Sequence, residues 1–392
     1  MRTFAGVMQQ YISTDFALGI LGGGQLGKML LDVTKRWDIH THVLDPNNEA
    51  AAKYSCMYFI QGDLMDYETV FGFGEQLDLI TIEIEHVNID ALYALENKGV
   101  KVYPKPETLE IIQNKRTQKE FYLAHNIPTA PFSAFDTRKQ LDQAVANNEI
   151  KFPCIWKAAR FGYDGFGVKK LNSAADIDEL PDNPCIIESL VPIEEEISVI
   201  VSRNPSGEIA LYPAVGMDFH PTANQVEYVY YPSNVSDSIK AHAASIAREL
   251  AELWEHVGLL AVEFFVDKDQ QLWVNEVAPR PHNSGHLTIE GCVCSQFEQH
   301  LRSILNIPLG KTDFYRPSIM ANIVGPKDIL GSFSYHGADE LLKTPMLGLH
   351  IYGKKTTKPQ RKMGHITLTG DSLKEIKTKI SALKNTLQLK AN

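Results

Sequence analysis

Glu263 and Glu276 are the residues of this chain whose surroundings ask most for chemistry. Residues 259–266 are apolar except for Glu263, and residues 272–277 are apolar except for Asn275 and Glu276, with the polar turn Asp267-Lys268-Asp269-Gln270 between them. The pattern predicts a hairpin of two strands. Two carboxylates in buried strands do not both ionise unless positive charge lies between them. A divalent cation satisfies them with few protein groups, and Mg²⁺ combines a few carboxylate oxygens with the oxygens of a substrate phosphate. Asn275 adds a neutral oxygen beside them. The second run leads into Pro279-Arg280-Pro281-His282-Asn283-Ser284-Gly285-His286, a loop dense in anion-binding groups. A metal pair feeding an anion loop points to phosphoryl transfer onto a small oxyanion. A hairpin with both glutamates in solvent fits the same letters, and the rest of the chain decides between the two.

Three further stretches bear on that choice. Near the N-terminus, Gly22, Gly24 and Gly27 in GGGQLG fit the spacing G-x-G-x-x-G, between a strand at 16–21 and a helix at 26–36. Glycines allow the tight turn, and the free N–H groups of the helix end face a phosphate. Asp45 ends the next strand, where a dinucleotide fold places its ribose-binding carboxylate. A dinucleotide, another phosphate or tight packing would each use this turn. Glu83 and Glu85 end a strand at 77–84, where open α/β sheets bind ligands; a solvated strand end reads the same.

At mid-chain, a strand at 152–157 ends in Lys157. The loop Gly162-Tyr163-Asp164-Gly165-Phe166-Gly167 follows. Its backbone N–H groups suit closure over a polyphosphate, and a plain hairpin turn carries the same glycines. No Gly-Lys-Ser/Thr follows, so the P-loop pattern is absent. A strand ending in Glu188-Ser189-Leu190-Val191 offers backbone groups to an adenine, with Glu188 placed to accept from its amine or from a ribose hydroxyl. Glu194, Glu195 and Glu196 read as an acidic turn, of which only Glu196 adjoins the next strand and is a ribose candidate.

Composition narrows the class. The chain has 392 residues and a net charge of −10, which does not favour a nucleic-acid partner. No apolar run approaches the roughly 20 residues of a membrane span. Residues 1–16 lack a secretory core and read as a short extension. The five cysteines, Cys56, Cys154, Cys185, Cys292 and Cys294, fit buried free thiols in a reducing cytoplasm. Strands and helices alternate to residue 103, predicting a doubly wound parallel sheet. A helix over 108–126 carries Lys115, Arg116 and Lys119, and a loop between strands carries His220. Near the C-terminus Lys354, Lys355, Arg361 and Lys362 cluster between strands; by composition alone a solvated loop is the default.

Taken in order, Lys157, the loop 162–167, Glu188-x-x-Val191, Glu263 and Asn275-Glu276 resemble the ATP-grasp superfamily. Within it the chain resembles the N5-carboxyaminoimidazole ribonucleotide synthase family of purine biosynthesis. The resemblance is carried by GGGQLG (22–27), QNKRTQKEF (113–121), GYDGFG (162–167), NEVAPRPHNSGH (275–286), QFEQHLR (296–302), HIYGKK (350–355) and RKMGH (361–365), and runs from about residue 17 to 370. It implies a mixed α/β and α+β fold: an extension at 1–16, a Rossmann-like pre-ATP-grasp domain at 17–112, an ATP-grasp clamp at 113–308 with a lid at about 125–190, and a small β-rich C-terminal domain at 309–392. It implies a cytoplasmic homodimeric ligase without membrane or nucleic-acid partners. The implied reaction is the ATP-dependent carboxylation of 5-aminoimidazole ribonucleotide with bicarbonate, through carboxyphosphate, giving ADP and phosphate.

The same resemblance implies residue roles. Glu263 and Glu276 hold Mg²⁺, as two ions. Arg280, His282, Asn283 and Ser284 are catalytic. ATP contacts Lys115, Lys157, Gly162, Tyr163, Asp164, Gly165, Phe166, Gly167, Glu188, Ser189, Leu190, Val191, Glu196, His220, Asn275 and Glu276. The ribonucleotide contacts Gly24, Gln25, Leu26, Glu83, Lys354, Arg361 and Lys362, so the glycine turn serves the substrate and no dinucleotide. This sequence departs from the family loop at Phe161, Phe166 and Val168, losing a loop cation. Lys115 stands where arginine is frequent, which keeps charge without bidentate geometry. A formate-dependent glycinamide ribonucleotide transformylase, which shares the clamp, and an NAD-dependent oxidoreductase built on GGGQLG and Asp45 are the alternatives.

Overall fold

In the computed structural model, which describes residues 11–160, 167–221 and 225–392, the first sheet is the expected parallel one. Its elements run β1 (Ala17–Leu21), α1 (Gln25–Arg36), β2 (His40–Asp45), β3 (Tyr58–Gln61), α2 (Tyr67–Gly74), β4 (Leu79–Ile82), α3 (Ile89–Asn97) and β5 (Lys101–Tyr103). The strand order is β3-β2-β1-β4-β5. The chain changes direction across the sheet between β1 and β4, so the glycine turn after β1 and Glu83 after β4 meet at the carboxyl edge. Side-chain oxygens of Asp66 and Asn88 accept the free N–H groups that open α2 and α3.

The single helix expected over 108–126 is two: α4 (Pro106–Ile112) and α5 (Lys115–Ala124). Asn114 breaks it by capping α5, its side chain accepting from the N–H groups of Arg116 and Thr117. Lys115 thereby becomes the first residue of a helix. The lid follows as β6 (Phe132–Phe135), α6 (Arg138–Ala146), β7 (Cys154–Ala158), β8 (Val168–Leu171) and β9 (Cys185–Ser189), an antiparallel sheet ordered β6-β9-β7-β8. The loop residues Gly162, Tyr163, Asp164, Gly165 and Phe166 lie outside the described residues, as do residues 1–10 of the expected extension.

The central sheet takes β10 (Ile193–Arg203), β11 (Ile209–Leu211), β12 (Val215–Phe219), β13 (Val226–Tyr231), β14 (Gly258–Asp267) and β15 (Leu272–Ala278), with α7 (Asp237–Leu253) before β14. Glu194, Glu195 and Glu196 are strand rather than turn; a register shift between Ile193 and Glu195 lets β10 carry them. Val199, Val201, Leu260, Val262 and Phe264 pack against Ile246 and Leu250 of α7, each buried side chain contributing roughly 1.5–3 kcal/mol.

After α8 (Thr288–Gly291) comes α9 (Gln296–Ile304), which the QFEQHLR stretch forms. Phe297 and Leu301 of α9 share a core with Leu26 and Leu30 of α1, joining the first domain to the central sheet. The C-terminal part comprises β16 (Ser318–Val324), β17 (Phe333–His336), α10 (Ala338–Leu342), β18 (Leu347–Ile351), β19 (Lys362–Thr369), α11 (Leu373–Thr386) and β20 (Gln388–Ala391). It does not form its main sheet apart: β16, β19 and β18 extend the central one, in the order β15-β14-β10-β12-β13-β16-β19-β18. The basic loop before β19 is carried back to the centre of the molecule by this continuity.

Candidate active site

Glu263 and Glu276 pair directly across β14 and β15, and Glu263 also pairs with Ser198 of β10. Antiparallel register therefore puts Glu196, Ser198, Glu263 and Glu276 on one face. Glu263 is buried. Burial raises its pKa, and the carboxylates of Glu276 and Glu196 push it further up. The Glu276 side chain is about half exposed; partial desolvation by its surroundings acts on it, but Lys115 and Lys157 outweigh that and hold the carboxyl low. Lys115 Nζ lies 3.3 Å from Glu276 Oε2. Two facing carboxylates with unbalanced repulsion, one of them buried, fit a divalent cation. Among the described residues no group of three or more His, Cys, Asp or Glu side chains forms a ready cage for a metal. Substrate oxygens would complete the coordination, as Mg²⁺ prefers.

The anion loop is built around His282. Its Nε2 lies 3.4 Å from Glu263 Oε1, and its Nδ1 lies 2.9 Å from Ser284 Oγ. Ser284 Oγ in turn meets Ser198 Oγ at 2.8 Å. The amides of Asn283 and Asn322 exchange two hydrogen bonds, of 3.0 and 2.8 Å. The polar groups of Ser284 and Asn283 are buried and bonded within the protein, where they hold the loop and orient His282, and Asn283 also belongs to the wall of the cleft. Arg280 Nε sits 2.9 Å from Glu85 Oε1, so a residue after β4 braces the loop.

A cleft of about 350 Å³ has walls that include Gln25, Glu83, Lys115, Glu276, Arg280, His282 and Lys362. Leu26 packs into the core below Gln25. At the glycine turn the Glu83 carboxylate accepts from Gly24 N–H and Gly27 N–H, both at 3.0 Å. A Cβ on Gly24 would stand 2.8 Å from the same carboxylate. Asp45 accepts from Gly23 N–H at 2.7 Å and Asn47 N–H at 2.8 Å. The site a dinucleotide pyrophosphate would need is filled by the chain's own carboxylates, which overturns the dinucleotide alternative.

On the lid, Lys157 Nζ lies 2.8 Å from Glu188 Oε2 and 3.2 Å from Asn275 Oδ1. Lys119, 2% exposed, takes the other Glu188 oxygen at 2.9 Å. Burial lowers the Lys119 pKa to about 8, against the raising effect of Glu188. Burial pushes Glu188 up, and the two lysines more than reverse it. The Glu188 carboxylate, read as an acceptor for an adenine amine or ribose, lies between two ammonium groups, and its backbone pairs with β6 and β7 on either side. Ser189 N–H donates to Pro131 O, and Leu190 is 40% exposed beside Val191. Glu196 is partly buried, which raises its pKa to about 7. Gly167, at φ +74°, closes the β7–β8 hairpin, and His220 N–H donates to Gln225 O. Glu188 to Val191, Glu196 and His220 lie outside the walls of the 350 Å³ cleft.

Of the basic C-terminal residues, Lys362 lines the cleft. Lys354 Nζ donates to Lys362 O at 2.7 Å, and Arg361 Nη1 donates to Thr356 O at 2.7 Å. Lys28 of α1 donates to Ile351 O at 2.9 Å and ties this region to the glycine turn. Lys119, Glu85 and His286 stand in stretches that the sequence marks as functional, but the sequence alone assigns none of them a partner; the structure gives Lys119 to Glu188, Glu85 to Arg280, and His286 a place in the cleft wall. The spacing of Lys115 and Lys119, one helical turn apart, is the one signal that was available for Lys119.

Family models match along the chain: a ribonucleotide synthetase preATP-grasp domain at 16–113, an ATP-grasp domain at 120–297 and a phosphoribosylaminoimidazole carboxylase C-terminal domain at 318–379. The N5-carboxyaminoimidazole ribonucleotide synthase of Bacillus subtilis is 38% identical over 92% of this chain and 93% of its own length. The phosphoribosylaminoimidazole carboxylase of Candida albicans is 34% identical over 93% of this chain, which spans only 66% of that longer protein. The N5-carboxyaminoimidazole ribonucleotide synthetase of Thermotoga maritima superposes with TM-score 0.86 at 37% identity, over 96% of this chain and 100% of the other. The synthase of Aspergillus clavatus in complex with ADP and 5-aminoimidazole ribonucleotide superposes with TM-score 0.85 at 34% identity, over 95% and 98%.

Proposed function

The chain belongs to the N5-carboxyaminoimidazole ribonucleotide synthase family of ATP-grasp ligases, and on that premise we propose how its own residues carry the reaction. A bicarbonate oxygen attacks the γ-phosphorus of ATP and ADP leaves. The exocyclic amine of 5-aminoimidazole ribonucleotide then attacks the carbonyl carbon of carboxyphosphate, phosphate leaves, and the nitrogen loses a proton to give the carbamate. One observation carries this reading: Arg280 and His282, Lys115 beside Glu276, and the Gln25–Glu83 turn with Lys362 wall a single cleft, so an oxyanion, a phosphoryl group and a ribonucleotide meet there.

Glu263, Glu276 and Asn275 would hold Mg²⁺, which supplies charge neutralisation to the transferring phosphoryl group. Lys115 and Lys157 bind ATP phosphates, with Gly167. The segment from Glu188 to Val191 receives the adenine, and Glu196 and His220 the ribose side. Arg280 and His282 hold bicarbonate and stabilise the charge developing on oxygen. Gln25 and Glu83 orient the ribonucleotide, and Lys354, Arg361 and Lys362 receive its phosphate. The domain limits 17–112, 113–308 and 309–392, a homodimer and a cytoplasmic setting complete the proposal. Among the described residues no helix is long and apolar enough to cross a membrane.

The test is ADP release with ATP, Mg²⁺ and bicarbonate, with and without 5-aminoimidazole ribonucleotide. Stimulation by the ribonucleotide that requires bicarbonate is the expected result. Turnover that requires formate instead, or none, would remove the assignment.

A further inference from the structure

We propose that His286 is a further substrate-binding residue, a neutral imidazole whose Nε2–H is offered to an anionic oxygen of the small oxyanion held by Arg280 and His282; the proposal rests on the cleft reading above. Gln296 clasps the backbone of His282. Its Oε1 accepts from His282 N–H at 2.8 Å and its Nε2 donates to His282 O at 2.7 Å. Those two bonds decide which end of the amide is which. The same Nε2 lies 3.0 Å from His286 Nδ1 and can only donate, so Nδ1 is the bare nitrogen and the ring proton sits on Nε2. Gln296 thus fixes the His286 tautomer while gripping both backbone groups of His282.

The Nε2–H so produced is buried without a partner, in a ring that is 0% exposed. Buried donors are rarely left unmatched, and one that is calls for a missing acceptor. His286 belongs to the wall of the cleft together with Arg280, His282 and Lys362. Its ring has little freedom: it packs on His365 at 4.7 Å, and His365 stacks on His350 at 4.3 Å and 12°. His350 Nε2 is anchored 2.6 Å from Glu290 Oε1, and Tyr352 Oη holds His365 Nδ1 at 2.9 Å. Burial, with His282, Lys362 and Arg280 nearby, keeps the ring neutral. A fixed, uncharged donor beside Arg280 and Lys362 adds direction to the charge that the cations supply to an anion.

Two substitutions separate binding from scaffolding. Gln at this position carries an N–H near the Nε2 position and lacks the Nδ1 acceptor, whereas Asn keeps a polar atom near Nδ1 and loses the distal donor. His286→Asn is expected to lower kcat/KM for bicarbonate on the order of 10- to 100-fold, with an unchanged melting temperature. His286→Gln is expected to stay within about threefold of the parent, by the same hydrogen-bond scale. The reverse ranking, equal losses in both variants, or no loss in either would overturn the proposal. Failure of the parent to turn over with bicarbonate would sink the ligase reading instead. In that case the Nε2–H proton resonance of His286, identified by its loss in His286→Asn, decides: it is expected to shift when bicarbonate or inorganic phosphate is added with ATP, and an unmoved signal overturns the proposal.

Discussion

Glu263 and Glu276 stand directly opposite one another in the β14–β15 ladder, two carboxylates where an ordinary sheet pairs apolar or oppositely charged side chains. Lys115 and Lys157 offset the charge on Glu276, whereas the Glu263 carboxyl stays raised by burial and by its carboxylate neighbours. Glu276→Gln is expected to reduce ATP turnover by at least about a hundredfold and to lower the melting temperature only modestly, because the lysines that hold Glu276 ionised lose a partner while Glu263 loses a facing charge. Turnover near that of the parent would remove the metal assignment. Circular dichroism melting and ADP release together check both halves.

Lys119 is a buried cation whose work is done on Glu188. Without it, Glu188 faces Lys157 alone and draws that ammonium from its 3.2 Å approach to Asn275. Lys119→Met is expected to destabilise the fold by about 3 kcal/mol, the scale for breaking a buried pair, and to raise the KM for ATP. Adding Glu188→Gln should recover part of the lost stability, since the two sites share one ion-pair network. Strictly additive losses in urea denaturation would show the triad to be uncoupled.

The basic segment at 354–362, proposed to receive the ribonucleotide phosphate, offers a way to tell the two nucleotides apart. Arg361→Ala should raise the KM for the ribonucleotide about tenfold, the equivalent of one lost charge-assisted hydrogen bond, with little change for ATP. Initial-rate kinetics with each substrate varied in turn measure this. Equal effects on both would move the phosphate site elsewhere.

His300 makes the joint between the first domain and the central sheet acid-sensitive. Its Nδ1 accepts from Leu259 N–H at 3.2 Å, leaving Nε2–H for Thr81 Oγ1 at 2.8 Å. Burial, with His256 nearby, depresses its pKa to about 3. As pH falls below about 6.5 the unfolded chain takes up this proton first, so stability present at neutral pH is lost between about 6.5 and 3. At pH 5 the loss from this one group is about 2 kcal/mol. His300→Gln should flatten the decline in urea midpoint between pH 7 and pH 5. An unchanged slope would assign the acid sensitivity to other groups.

Period and spacing determined much of this protein before any coordinates. Alternation of apolar strands and helices to residue 103 specified the parallel sheet, because each strand and helix is defined by contacts near in sequence. Glu263, Glu276 and the loop from Arg280 to His286 announced themselves as polar groups in apolar runs. What tertiary structure alone decided concerns partners distant in sequence. Nothing in the neighbourhood of Glu188 says that its carboxylate belongs to Lys119 and Lys157, and nothing near Gly24 says that Glu83 fills the helix end that a phosphate would otherwise take. Ser284 and Asn283 sit in a motif rich in anion-binding groups, yet Ser198 and Asn322 claim them. The C-terminal strands join the central sheet through the β13–β16 pairing, which no local pattern encodes. A side chain's chemistry is written in the sequence; whether it is spent inside the protein or left for a ligand depends on what packing brings within about 3 Å of it.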